Sequence, residues 1–151
     1  MQGYRESASA TAVWSARMRD FLHDCVASAS SETADRLREA RALFAQTGGR
    51  VAGIPAELPD PAAFEALLAC AGHDSAAMAL LGRDTGFILS RGGNGVCLAT
   101  IATGGGSEDV TAEGATTALA LLAAQVAAIL AETGAVTDAA AASAGAVARP
   151  H

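Results

Sequence analysis

Few residues in this chain have the type and spacing to do chemistry. His23 and His73 each precede an aspartate, Asp24 and Asp74. A histidine beside a carboxylate can accept a phosphoryl group or act as a general base near neutral pH. His23 falls within an amphipathic run. Adjacent residues on a helix point about 100° apart and do not face each other. His23 therefore reads as a surface histidine, with phosphotransfer through it kept as the alternative. His73 and Asp74 stand in a turn between two expected helices, where an N-cap role accounts for the aspartate.

The three cysteines, Cys25, Cys70 and Cys97, are widely spaced and form no C-x-x-C. With His23 and His73 they are the raw material for a metal site, but structural zinc sites carry short paired spacings. No metal ligand, cofactor or catalytic residue is assigned. An odd cysteine count with small or apolar neighbours indicates buried thiols in a reducing, cytoplasmic setting.

Gly104-Gly105-Gly106 precedes a helical run, as phosphate loops do. It lacks both G-x-G-x-x-G and G-K-[ST]. Glu108, Asp109 and Glu113 crowd the same stretch and would repel a phosphate. Ser75, Ser90 and Ser107 lack a G-x-S-x-G elbow.

Composition narrows the function classes further. The net charge is −6 over 151 residues, and every basic residue is arginine. Binding nucleic acid needs a basic face. The arginines of the first fifty residues (Arg5, Arg17, Arg19, Arg36, Arg38, Arg41, Arg50) alternate with Glu6, Asp20, Asp24, Glu32, Asp35 and Glu39. That is a solvated, paired helix surface rather than a nucleic-acid site. The lysine-free composition and the single asparagine, Asn94, fit a GC-rich bacterial genome. No leader-like N-terminal segment is seen. Residues 114–131 carry no charge, but the run is short, alanine-rich and holds Thr116, Thr117 and Gln125. A buried core helix is expected there, with envelope association through 114–131 as a further alternative.

The elements that would position these residues follow from periodicity. Ala10, Trp14, Met18, Phe21, Leu22, Cys25 and Val26 keep a helical beat over about 9–28. A second helix spans about 32–46. The apolar spacing also continues through the serine-rich break, which permits one helix from 9 to 47 whose stripe would need a second copy to cover it. Asp60-Pro61 starts a helix that ends near Gly72, and a short helix follows over about 74–81. Asn94-Gly95 between β-rich runs predicts a hairpin of strands 86–91 and 96–102. Its faces are expected to group Phe87 and Leu89 with Leu98, and Ile88 with Ala99 and Ile101. A third short strand is placed near 51–54. The last helix is expected over 112–133, capped by Ser107, Asp109 or Thr111. Residues 1–8 and 135–151 are expected to be flexible ends of a single domain over 9–134.

The expected fold is therefore α+β and helix-dominated, with one hairpin packed on helices. The expected function is a non-catalytic protein-interaction or regulatory module acting as a homo-oligomer through helix 9–47 or 112–133.

Overall fold

The computed structural model describes residues 2–102 and 109–145. Its elements are α1 (Gln2–Ala27), a 3-10 turn (Ser30–Glu32), α2 (Thr33–Ala45), α3 (Pro61–Ala69), α4 (His73–Leu81), β1 (Gly86–Arg91), β2 (Cys97–Ala102), β3 (Val110–Gly114) and α5 (Thr117–Gly145). The α+β, helix-dominated architecture is as expected.

The stripe over 9–47 resolves into two helices. The Ser28 hydroxyl donates to the Asp24 carbonyl at 2.5 Å, and the Glu32 carboxylate takes the Ala29 N–H at 2.9 Å. The Thr33 hydroxyl donates to the Ser30 carbonyl at 2.7 Å. These short polar side chains offer the backbone local partners that compete with continued helix. Thr33 is fully buried, and its Oγ1 lies 3.3 Å from that of Thr116.

α3 begins as its sequence predicts. Asp60 caps the N–H groups of Ala62 and Ala63, and Pro61 occupies the first turn. Its end is less ordinary. Gly72 N–H donates to Leu67 O at 2.7 Å and Ala71 N–H to Leu68 O at 3.2 Å, with Ala71 at φ 59°. This is a Schellman turn with alanine where glycine is usual. Arg38 joins α2 to α3 by binding both Glu65 oxygens, which holds the Glu65 carboxyl below the usual range.

The sheet is an antiparallel meander in the order β1-β2-β3. The hairpin is where the Asn-Gly signal places it, but the register corrects the expected faces. Arg91 pairs with Cys97, so Val96 belongs to the connection and Phe87 opposes Ile101. The extra connecting residue moves every β2 side chain to the other face. Phe87, Leu89, Cys97, Ala99 and Ile101 thus share the inner face, while Ile88 and Leu98 point outward.

The third strand is Val110–Gly114, not residues 51–54. Residues 51–54 form a turn closed by Ile54 N–H to Val51 O, with Gly53 at φ 90°. In β3 the β-branched Val110 and Thr111 open a two-residue alternation that ends at Gly114. A Cβ on Gly114 would stand 2.7 Å from the Ala120 nitrogen, so only glycine lets the strand end lie on the following helix. That helix consequently starts at Thr117, later than the expected 112. Its cap is Thr116, whose Oγ1 accepts the Leu119 N–H at 3.1 Å, rather than Asp109 or Thr111. Ser107 and the glycine run 104–106 lie outside the described residues.

α5 is the axis of the fold. It packs against all three strands and against α1, α2 and α4. By length and composition its Thr117–Gly134 stretch could cross a membrane, but 61% of that stretch is buried inside the domain. The backbone is helical from Gln2 and onward to Gly145, beyond the expected limits near 9 and 134. Alanine favours helix strongly, and the alanine-rich residues 135–145 extend the C-terminal end on that account.

Candidate functional site

A concavity lies where the 51–54 turn, the end of α4 and the middle of α5 meet. Gly82, at φ 89°, stops α4. Gly53 brings the turn onto α5, where a Cβ would stand 3.0 Å from Ile129 Cγ1. Gln125 fixes this junction. Its side chain is only 2% exposed, and Nε2 donates to Gly53 O at 3.1 Å and to Leu80 O at 2.9 Å. Leu80 O belongs to the last turn of α4, whose carbonyls lack intrahelical partners. One side chain therefore ties a loop and a helix end to the central helix.

The two Nε2 hydrogens are thereby consumed, and Gln125 Oε1 is buried without a hydrogen-bond partner. Gln125 lines a cavity of about 160 Å³ whose walls include Leu81, Ile101, Ala128 and Ile129. Asp84, Thr85 and Glu132 complete its polar lining. Neither Asp84 nor Glu132 enters an ion pair among the described residues. A shallower groove continues outward between 49–56 and 82–85, with Arg50 and Arg83 in its lining.

The residues singled out for chemistry lie elsewhere. His23 is exposed on α1, and its neighbour Asp24 stands 3.8 Å from Arg36 Nη1. His73 is half-buried as the first residue of α4. Gly72, not Asp74, holds the N-cap position; the Asp74 carboxylate instead accepts the Thr117 hydroxyl at 2.6 Å, joining the starts of α4 and α5. Neither histidine lines the cavity, and nor does Arg91. Among the described residues no three His, Cys, Asp or Glu side chains gather to hold a metal ion. Cys25 and Cys97 are buried, while Cys70 is exposed. Burial pushes the Cys25 thiol up to about 12, with Arg36 opposing and Glu39 and Asp24 adding to the rise.

A second feature is the outer face of the sheet. Ile88 is 70% exposed and Leu98 40%. The inward residues of β1, Phe87 and Leu89, are only half-buried. β1 is an edge strand with no further strand beside it among the described residues.

No protein-family model, curated protein or solved structure matches this chain.

Gln125 is a candidate that helical periodicity alone does not single out. Its signal was present: it is the single amide in the uncharged run 114–131. A lone amide in a helix that is otherwise buried must find partners inside the protein. What periodicity does not reveal is which partners, because Gly53 and Leu80 lie far away in the chain.

Proposed function

We propose that this chain is a non-catalytic protein-interaction or regulatory module that acts in the cytoplasm as a homo-oligomer, through the free edge of β1. The observation that carries this reading is the incomplete cover of β1 on both faces. Ile88 is exposed on the outside, and Phe87 and Leu89 are half-covered on the inside. A second β1 running antiparallel and centred on Ile88 would set Ile88 beside its own copy. The same register would bring Phe87 against the partner's Leu89, and Leu89 against the partner's Phe87. Such pairing is self-complementary about a two-fold axis. It would also satisfy the open backbone edge.

Nearly all the apolar residues of α5 over 118–129 are buried within the domain, which is why the interface is assigned to the strand and not to helix 112–133. The stripe over 9–47 is likewise divided between two helices whose buried residues face the same core. Three free cysteines, two of them buried, are consistent with a reducing compartment.

The test is mass in solution. Light scattering behind size exclusion is expected to give a dimer for the wild type and a monomer for Ile88→Lys. The variant's circular dichroism should match the wild type, because the side chain is in solvent in the single protomer, while its melting should lose the concentration dependence that a dimer confers. A wild type that stays monomeric at high micromolar concentration, or an Ile88→Lys dimer, would overturn the proposal.

A further inference from the structure

We propose that the cavity at Gln125 binds a small organic ammonium ion with an apolar body. The inference is independent of β1 pairing and rests on the donor and acceptor inventory of the cavity wall. Gln125 has no donor left, since both Nε2 hydrogens are held by Gly53 O and Leu80 O. What remains of its polar group is Oε1, a buried acceptor without a partner, on a side chain that lines the cavity. Asp84 and Glu132 are acceptors only when ionised, and both are free of ion pairs among the described residues. The Thr85 hydroxyl can act either way. A wall of acceptors selects a ligand that donates, and two carboxylates select a cation.

The remaining lining is apolar: Leu81, Ile101, Ala128 and Ile129. A cavity of about 160 Å³ accommodates a benzene-sized group. The ligand is thus an amine whose hydrocarbon part fills the apolar wall and whose ammonium meets the carboxylates. The arginines nearby do not oppose it from within. Arg50 and Arg83 line only the outer groove, and Arg50 Nε is held by Thr47 O at 3.1 Å. The net charge of −6 favours approach of a cation.

Amide NMR titration of the full chain near neutral pH provides the test, with benzylammonium, benzyl alcohol and benzoate as probes of one shape and three charges. Benzylammonium is expected to shift the amides of Gly53, Thr85, Ala102 and Ala128 saturably, with a dissociation constant of about 1 mM for so small a ligand. Benzyl alcohol should bind several-fold more weakly and benzoate should not bind. The surface variants Asp84→Asn and Glu132→Gln combined should weaken benzylammonium about fivefold while leaving benzyl alcohol unchanged. A short peptide with one lysine forms the second arm, and should bind more weakly than the free amine. Absence of saturable shifts would mean that the cavity holds only water, which overturns the proposal. Equal binding of the three probes, or insensitivity to the carboxylate variants, overturns the assignment to a cation. Tighter binding of the peptide overturns the assignment to a free amine in favour of a partner's lysine. Each readout is local to the cavity, so failure here is separable from failure of the β1 interface, which is read as mass.

Discussion

Replacing Gln125 by leucine tests how the cavity is built. Leucine keeps comparable bulk and removes every polar atom. Two carbonyls, Gly53 O and Leu80 O, then lose their donor. Leaving the buried Leu80 O unpaired costs about 1–3 kcal/mol, while the part-buried Gly53 O, on an exposed residue that water can reach, costs about 0.5–1.5 kcal/mol. Against this, the substitution removes Oε1, itself buried and unpartnered, which returns about 1–3 kcal/mol. The balance is a loss of about 1 kcal/mol. For a chain of this size that lowers the melting temperature by about 2–4 °C. Gln125→Glu should be worse than leucine. Ionised, it offers no donor to either carbonyl and places a buried charge against them; protonated, it offers one donor for two carbonyls and must first be neutralised at neutral pH. The assay is thermal and urea unfolding of the three proteins at neutral pH, with the order wild type, leucine, glutamate. Hydrogen exchange should also speed up for the backbone around Gly53, which Gln125 ties down. A leucine variant as stable as the wild type would show that the two hydrogen bonds contribute nothing net. The account of Gln125 as a clamp would then be wrong.

Other substitutions test separate parts of the fold. Ala71→Gly should stabilise by about 1 kcal/mol, because an exposed alanine holds φ 59° where glycine is unstrained, and the urea midpoint should rise with an unchanged slope. A thiol-reactive probe should label one cysteine quickly in the native protein, and Cys70→Ser should abolish that phase while Cys25 and Cys97 react only on unfolding. The Cys25 thiol, at about 12 in the fold against 9.0 as its ordinary value, keeps its proton where the unfolded chain has lost it. Stability is therefore fully present below pH 9 and falls by about 1.4 kcal/mol per pH unit above it, towards 12. Cys25→Ala should be flatter than the wild type over the same alkaline range, measured as unfolding midpoint against pH.

Local signals were legible in the sequence where the chemistry is local. Asn94-Gly95 placed the hairpin, and Asp60-Pro61 placed the start of α3, because each turn or cap needs only its own neighbours. The register of the hairpin was not legible to the same degree. Whether Val96 ends the connection or begins the strand changes which face Leu98 takes, and the two sequences differ by one residue of pairing. The third strand lies away from its expected place for a related reason. Val51–Ile54 has the apolar content of a strand, but Gly53 sits at a positive φ to meet Ile129. Val110–Gly114 has a polar alternation weak enough to be absorbed into the helix that follows. The break between α1 and α2 became definite only through Thr33, whose burial against Thr116 joins positions far apart in the chain. Gln125 belongs to the same class: its residue type was visible, but its partners were distant.

The alanine content that weakens ordinary sequence arguments has a structural consequence here. α5 is buried on several sides at once, by sheet and by helices, and its buried alanines (Ala118, Ala120, Ala123, Ala124, Ala128) keep it narrow enough for that. Gly114 against Ala120 marks the closest of these approaches. A narrow axis draws β2 and β3 in tightly, yet its alanines carry little apolar area of their own, and burial stabilises in proportion to area. The shortage falls on the strand farthest from α1, where Phe87 and Leu89 stay half-covered and Ile88 stands in solvent. The same small side chains beside Gln125 leave room that larger residues would have filled. The edge proposed for self-association and the cavity proposed for an amine thus share one physical origin. Filling the cavity wall with Ala128→Leu should accordingly abolish benzylammonium binding while leaving the β1 dimer intact. Loss of both together would show that the two features are not separate sites.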